Sequence, residues 1–452
     1  MRIPDVLSLL ARYVSPSQPL YLVGGAVRDS LLGKPCSDID LVCTQNPRWI
    51  ARKFADEIGG DFFVLDDERD TCRVLVSNDM GASLVVDFAA MRGDSIREDL
   101  AKRDFTINAM AVDFFDQETV IDPFKGGRDL QEKRLRVVSP SSFADDPLRT
   151  IRAVRYALNL GLKMEPGMTD LILASVSGLQ HISAERKRDE IIKIFSGQKI
   201  HTGLQLLQKF TVFRFIPLAV RSDFSCAVTL ARSLEDLVAW LCGEKSHERQ
   251  AAFYQSALLV ELGRFREQLR NHYLVKNRSR RENRSLLYLA IILDGVTNPE
   301  CYLRGLALSV DEIRQVTDHL NAGPVLQELI DKGSTPEPID IYRYFKATGS
   351  GGLDAAVTML AKQAGLIGSD FSQAQWLYLL QITGKLMEAW FHKPELIAPI
   401  PLVNGEVLMR HLGLDAGPII GQLLEQLKEE QVKGSITNAA EALQWIDLVV
   451  EK

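Results

Sequence analysis

Apolar positions along this chain follow two regimes. Up to about residue 135 they come in short alternating or wholly apolar runs, which predict strands at 20–23, 39–43, 61–65, 72–77, 84–88 and 109–114. A helix-spaced stretch at 47–58 separates two of them, and residues 1–16 read as a short amphipathic helix. A turn at 116–123 feeds one more extended segment that ends at Pro123. Beyond about residue 138 strand signals fade. Apolar spacings of three and four then predict helices over 146–160, 169–177, 184–195 and 203–210, and a buried helix at 287–294 that stops at Gly295. No fixed period links the helices, which argues against a regular solenoid. The pattern is that of an α+β protein: a mixed α/β domain followed by an all-helical extension.

At 452 residues the chain exceeds what one core can serve, so it divides into several domains. The proportions of hydrophobic (46%) and charged (25%) residues are those of an ordinary globular protein, and no apolar run approaches a membrane span. A net charge of -6 argues against a general nucleic-acid coat but leaves room for a local basic surface. Six cysteines without a CxxC pair, and no signal peptide after Met1, point to free thiols and a cytoplasmic location. The seven histidines contain no His-Asp dipeptide and no metal-ligand spacing, so a metal-dependent phosphohydrolase module is not expected.

Chemistry concentrates near the start. In Tyr21-Leu-Val-Gly-Gly-Ala-Val-Arg-Asp29 an apolar run enters the turn Gly24-Gly25, whose backbone amides could cradle a phosphate before a helix. Asp38 and Asp40 follow at alternate positions, so their carboxylates share one strand face and repel unless a cation lies between them. Magnesium suits such hard oxygen ligands. Asp87, alone in the apolar run Ser83-Leu-Val-Val-Asp-Phe-Ala89, is a third acid that needs a cation. Three converging carboxylates would suit two-metal phosphoryl transfer.

Further on, Lys102 and Arg103 are candidate donors to a triphosphate, Asn108 to sugar or phosphate, and Asp104 is placed to orient an arginine. Arg149, Arg152 and Arg155 recur every three residues on one helix face, where they repel unless anions compensate them. Asp146 with Arg149 offers an acceptor and a donor fork able to read a nucleobase edge. Between Arg264 and Arg284 eight basic residues stand against two acidic ones, with Phe265 and Tyr273 among them. This is the best candidate for RNA-backbone contact, with Arg278, Arg280 and Arg281 at its centre.

Taken together, GGAVRD, DID, KRDFTINAMA, IDPFKGGRDL, ADDPLRTIRAVRY and AERKRDEIIKIF resemble, in order, the motifs of the bacterial-type (class II) tRNA nucleotidyltransferase and poly(A) polymerase family. The resemblance spans roughly residues 20–200 and returns at 402–424. It implies a polymerase β-type nucleotidyltransferase head with a mixed sheet at 1–137, and a helical neck at 138–200 that recognises the base. It further implies a helical body at 201–330 that binds RNA, and a helical tail at 331–452 that binds tRNA. Asp38 and Asp40 would bind Mg2+, and Arg28, Arg103, Asn108, Arg152 and Arg155 would surround the triphosphate. Asp146 and Arg149 would act as an amino-acid template for the base. Gly126, Gly127 and Asp129 match a motif associated with head and neck movement, and Glu185 and Arg186 one that buttresses the neck helix.

Three departures bear on activity. Lys102 stands where the family has arginine, and Asp145 where it has glutamate. Only 15 residues separate Asp87 from Arg103, where many full CCA-adding members carry a longer flexible loop. The expected activity is therefore template-independent addition of CCA, or part of it, to tRNA 3′ ends from CTP and ATP. Poly(A) polymerisation, an inactive RNA-binding relative and a small-molecule nucleotidyltransferase are the alternatives.

Overall fold

Seven short strands pair into one sheet in the order β3-β4-β5-β2-β1-β6-β7. They are β1 (Leu20–Val23), β2 (Asp38–Cys43), β3 (Asp61–Asp66), β4 (Thr71–Ser77), β5 (Ser83–Ala90), β6 (Ala111–Asp113) and β7 (Val120–Ile121). Among the described residues, the one parallel pairing in this sheet is β2 with β5. This computed structural model describes residues 3–450 except 13, 17, 37, 69, 78–82, 117, 219–222, 244–251, 276–280 and 367–370. The chain forms two units: residues 1–190 with 206–215, and residues 191–205 with 216–452.

Alternation sorts the first unit's side chains. Ile39, Leu41, Cys43, Cys72, Val74, Val86 and Phe88 are buried on one sheet face. Across it lies α3 (Pro47–Ile58), whose Phe54 ring sits 6.0 Å from that of Phe88; it follows α1 (Ile3–Leu10) and α2 (Gly25–Leu31). The intervening positions Asp38, Asp40, Arg73 and Asp87 take the other face. Their polarity does not compete with the packed layer, which leaves that face available for chemistry.

Between β5 and β6 come α4 (Ile96–Ala101) and a 3-10 turn at Thr106–Asn108; after β7 come α5 (Gly126–Gln131), α6 (Ser142–Asp145), α7 (Arg149–Asn159), α8 (Met168–Ser175) and α9 (Ala184–Phe195). The strand expected at 109–114 begins only at Ala111, because the 3-10 turn occupies the preceding residues. The helix expected from 146 begins at Arg149, since Asp146 adopts an extended backbone before Pro147. A parallel ribbon, β8 (Arg134–Leu135) with β9 (Lys163–Met164), escapes sequence reading because two-residue strands carry no periodicity.

The second unit is helical. Its helix Asn283–Leu293 is buried at every position from Ser285 to Leu293, which explains its unbroken apolar run. Helix Gly351–Ala364 crosses helix Val310–Asp331 at touching distance. A Cβ on Gly351 would lie 2.3 Å from the backbone of Asp318 and His319, so only glycine fits there. The last three helices, Gly405–Leu412, Pro418–Lys433 and Ala439–Val450, close over their own core of Leu408, Leu423, Leu427, Ala442 and Ile446. They meet helix Pro338–Thr348 through charges: Arg343 pairs with Glu429, Lys346 with Glu425 at 2.6 Å, and Tyr342 donates to Glu425 at 3.2 Å. Among the described residues, no helix is long and apolar enough to cross a membrane.

Candidate active site

The carboxylates meet by register. Asp40 on β2 lies directly opposite Asp87 on β5, and Asp87 directly opposite Arg73 on β4. Asp38 stands two positions before Asp40 on the same face. Their electrostatic situations differ. Among the described residues, no ion pair holds Asp38 or Asp40. Asp87 receives both Nε and Nη2 of Arg73 at 2.8 Å. The Asp40 carboxyl is pushed up to about 6, first by burial and then by the charge of Asp87; Arg103 offsets this in part. An acid so placed has a surplus of negative surroundings, which a divalent cation would relieve.

Gly24 turns β1 into α2 at φ 68°, a conformation that favours glycine. A Cβ on it would lie 2.9 Å from the Arg103 guanidinium and 3.5 Å from an Asp40 oxygen, so this turn, Arg103 and Asp40 adjoin. Gly25 abuts Arg28, which is buried, pairs with Asp29 at 2.8 Å and donates to Asn108 at 2.6 Å. Arg103 is held at 3.0 Å by Asp99, whose other partner is Arg92.

Asp104 is the hub behind these groups. It is buried and accepts from Arg152 at 2.7 and 2.9 Å, from Asn108 at 3.0 Å and from the Phe105 amide at 2.8 Å. Burial would raise its pKa, but the Arg152 charge and these donors hold it down at about 2. Glu190, buried, takes Arg155 at 2.7 Å and Arg152 at 3.5 Å. The guanidinium carbons of Arg28, Arg152 and Arg155 lie 5.3, 5.6 and 4.3 Å from the Tyr156 ring centre. One aromatic ring, the two buried acids and Asp29 thus gather three cations that would otherwise repel.

The side chains of Asp146 and Arg149 do not bond to each other, although the Arg149 amide donates to the Asp146 carbonyl at 3.0 Å. Asp146 accepts from Arg186 at 2.8 Å, while Arg149 donates to the carbonyls of Lys102 at 2.7 Å and Ser142 at 3.1 Å. Nearby, Gly126 and Gly127 give their amides to Asp122 at 2.7 and 2.9 Å, and Asp129 binds Thr106 and Arg136. Sequence reading missed Arg73, Asp99, Tyr156 and Glu190. Arg73 stands on β4 and its acid on β5, so only the strand pairing brings them together.

In the second unit, Arg278 and Arg280 lie outside the described residues. Arg281 is committed internally: its Nη1 donates to both oxygens of Glu312 at 2.7 and 2.9 Å, and Glu312 is 2% exposed. Arg281→Ala strands that carboxylate. We expect a stability loss of about 3 kcal/mol, read as a lower thermal midpoint, with Arg281→Lys recovering part of it.

A mixed sheet that sets acids on its open face, beside a turn and helix rich in arginine, defines a nucleotidyltransferase head. Residues 20–136 match the family described as poly A polymerase head domain, and 161–220 that of the probable RNA and SrmB-binding site of polymerase A. Residues 278–446 match tRNA nucleotidyltransferase domain 2. The chain is 29% identical to the CC-adding tRNA nucleotidyltransferase of Geobacter sulfurreducens, over 98% of this chain and 94% of that one. It is also 29% identical to the CC-adding enzyme of Synechocystis, over 94% and 92%. Its fold resembles the CCA-adding enzyme of Bacillus stearothermophilus solved with CTP, with a TM-score of 0.64 at 22% identity over 100% and 98%. Through these matches the chain carries the domains of poly(A) polymerases and of bacterial-type tRNA nucleotidyltransferases.

Proposed function

We propose that this chain adds cytidylates to the 3′ end of tRNA without a nucleic-acid template, completing the CC part of the CCA end. The observation that carries the choice of CC is the segment between Asp87 and Arg103. It is filled by a short capped helix: Ser95 caps α4 at the Glu98 amide, Glu98 accepts from Asp94, and Arg92 clasps Asp99. No span remains for the longer loop of full CCA-adding members. The two relatives named CC-adding, alike over nearly their whole length, support the same reading.

The terminal ribose hydroxyl attacks the α-phosphate of CTP. One P–O bond forms, the bond to the β-phosphate breaks, and pyrophosphate leaves. Asp38 and Asp40 would hold a divalent cation, in our reading magnesium; when bound, it activates the hydroxyl and neutralises the leaving group. Arg28, Arg152 and Arg155, already gathered around Tyr156, and Arg103, held by Asp99, receive the triphosphate charge with little reorganisation. Arg149 and Asp146 exchange their internal bonds for the edge of the base. We divide the chain into a head (1–137), neck (138–200), body (201–330) and tail (331–452), and place the reaction in the cytoplasm. Arg278 and Arg280 would contact the tRNA backbone.

The test offers purified protein tRNA ending at the discriminator base, at C or at CC, with labelled CTP and ATP given separately. We expect C incorporation on the first two and none of either nucleotide on the third. Adenylate added to the CC-ended tRNA would overturn the assignment in favour of complete CCA or A addition.

A further inference from the structure

The sheet face that carries the acids also carries Arg73, to which neither the motifs nor the proposed chemistry gives a task. It is the third residue of β4, between Cys72 and Val74, at the position directly across from Asp87. Both oxygens of Asp87 are taken at 2.8 Å by Nε and Nη2, along one edge of the guanidinium, a fork-to-fork geometry. Neither partner is fully exposed, at 39% and 23% for Arg73 and Asp87. The field of Asp38 and Asp40 also reaches Arg73, adding to the Asp87 hydrogen bonds that raise its pKa. An isolated cross-strand pair of this kind adds little to a sheet, which is little reason to place it beside the most crowded acids of the domain.

We propose that Arg73 is a positioning residue: it holds Asp87 as its own counter-ion, so that two carboxylate charges, Asp38 and Asp40, face the divalent cation instead of three. The fork occupies one lone pair of each Asp87 oxygen and fixes the plane of the carboxylate. The pair then acts on the cation through its net field and not as a ligand. Removing the base exposes a third negative charge one strand away from Asp40. Removing the acid exposes a positive one at nearly the same place. The two changes must therefore move cation affinity in opposite directions, and together they must nearly cancel. This inference rests on the reading of Asp38 and Asp40 as the cation-binding pair.

The experiment measures Mn2+ binding to the full-length protein by electron paramagnetic resonance, without nucleotide or tRNA, at low ionic strength. Arg73→Gln should tighten the Mn2+ dissociation constant by about 5-fold, Asp87→Asn should weaken it by about 5-fold, and the double variant should return to within about 2-fold of wild type. A purely structural pair would shift melting temperatures and leave these three constants together. If Asp87→Asn abolishes binding as completely as Asp40→Asn, Asp87 is a direct ligand and the proposal falls. It falls equally if both single variants shift affinity the same way or not at all. Should Arg73→Gln fail to fold, Asp87→Asn and the double variant still decide, by the 5-fold loss and its rescue. Asp40→Asn serves as the separate control: undiminished Mn2+ binding there would sink the assignment of the cation to Asp38 and Asp40, whatever Arg73 does.

Discussion

Asp40→Asn will lower the rate of nucleotide incorporation by about 10³-fold or more, while the protein melts no lower than wild type. The first half follows from what the carboxylate does. Asp40 stands at the junction of β1, β2 and β5, opposite Asp87 and against the Gly24 turn that abuts Arg103. Losing its charge removes half of the pair that would hold the cation, and metal-assisted charge stabilisation supplies several kcal/mol to such reactions. The second half follows from its environment. Burial and the neighbouring acids push its carboxyl up to about 6, so above that pH the folded chain holds an ionised group that water would hold more favourably. Asparagine removes that cost at nearly the same volume. Single-turnover incorporation and a melting curve at pH 7.5 check both parts; a variant that keeps its rate would remove Asp40 from the chemistry.

The opposite outcome awaits Asp104, which lies only a short way behind. Asp104→Ala should destabilise the first unit by about 3–5 kcal/mol, a fall in melting temperature on the order of 10 °C, because Arg152 is left partly buried without its closest acceptor. Activity at permissive temperature should fall as well, since Arg152 and Asn108 lose their common anchor. Arg152→Ala combined with Asp104→Ala should cost less than the two separate losses added together, as expected of direct partners. The pH dependence has a definite sign. The carboxyl sits at about 2, below its ordinary value near 3.8, so its contribution is complete above pH ~4 and disappears as pH falls through 2. Acid titration of wild type and Asp104→Asn should therefore converge at low pH and separate above pH 4.

Which parts of this could be read from the sequence depends on how far apart the partners are. Asp38 and Asp40 declare themselves because two acids at alternate positions of a strand have only local reasons to be there. The fold class was legible for a similar reason: the change from period two to period three or four near residue 138 needs no tertiary information. Counter-ions are another matter. Arg152 finds Asp104 across 48 positions and Arg155 finds Glu190 across 35, and nothing in either local sequence names the other. Asp87 shows the limit most clearly. Its burial among apolar neighbours announced that a cation was required, but the chain itself supplies one from β4, 14 positions upstream. Arg281 shows the converse, for a run of basic residues reads as an anion surface while this member already serves a buried glutamate.

The three helices that end the chain carry a consequence for how such proteins diversify. They enclose a core that owes nothing to the rest of the second unit, and they reach their neighbour through side chains of opposite sign. Such a seam makes few demands on shape. A module of another shape that presented acids where Glu425 and Glu429 stand would meet the same Arg343 and Lys346, so variation at this seam is constrained by charge more than by shape.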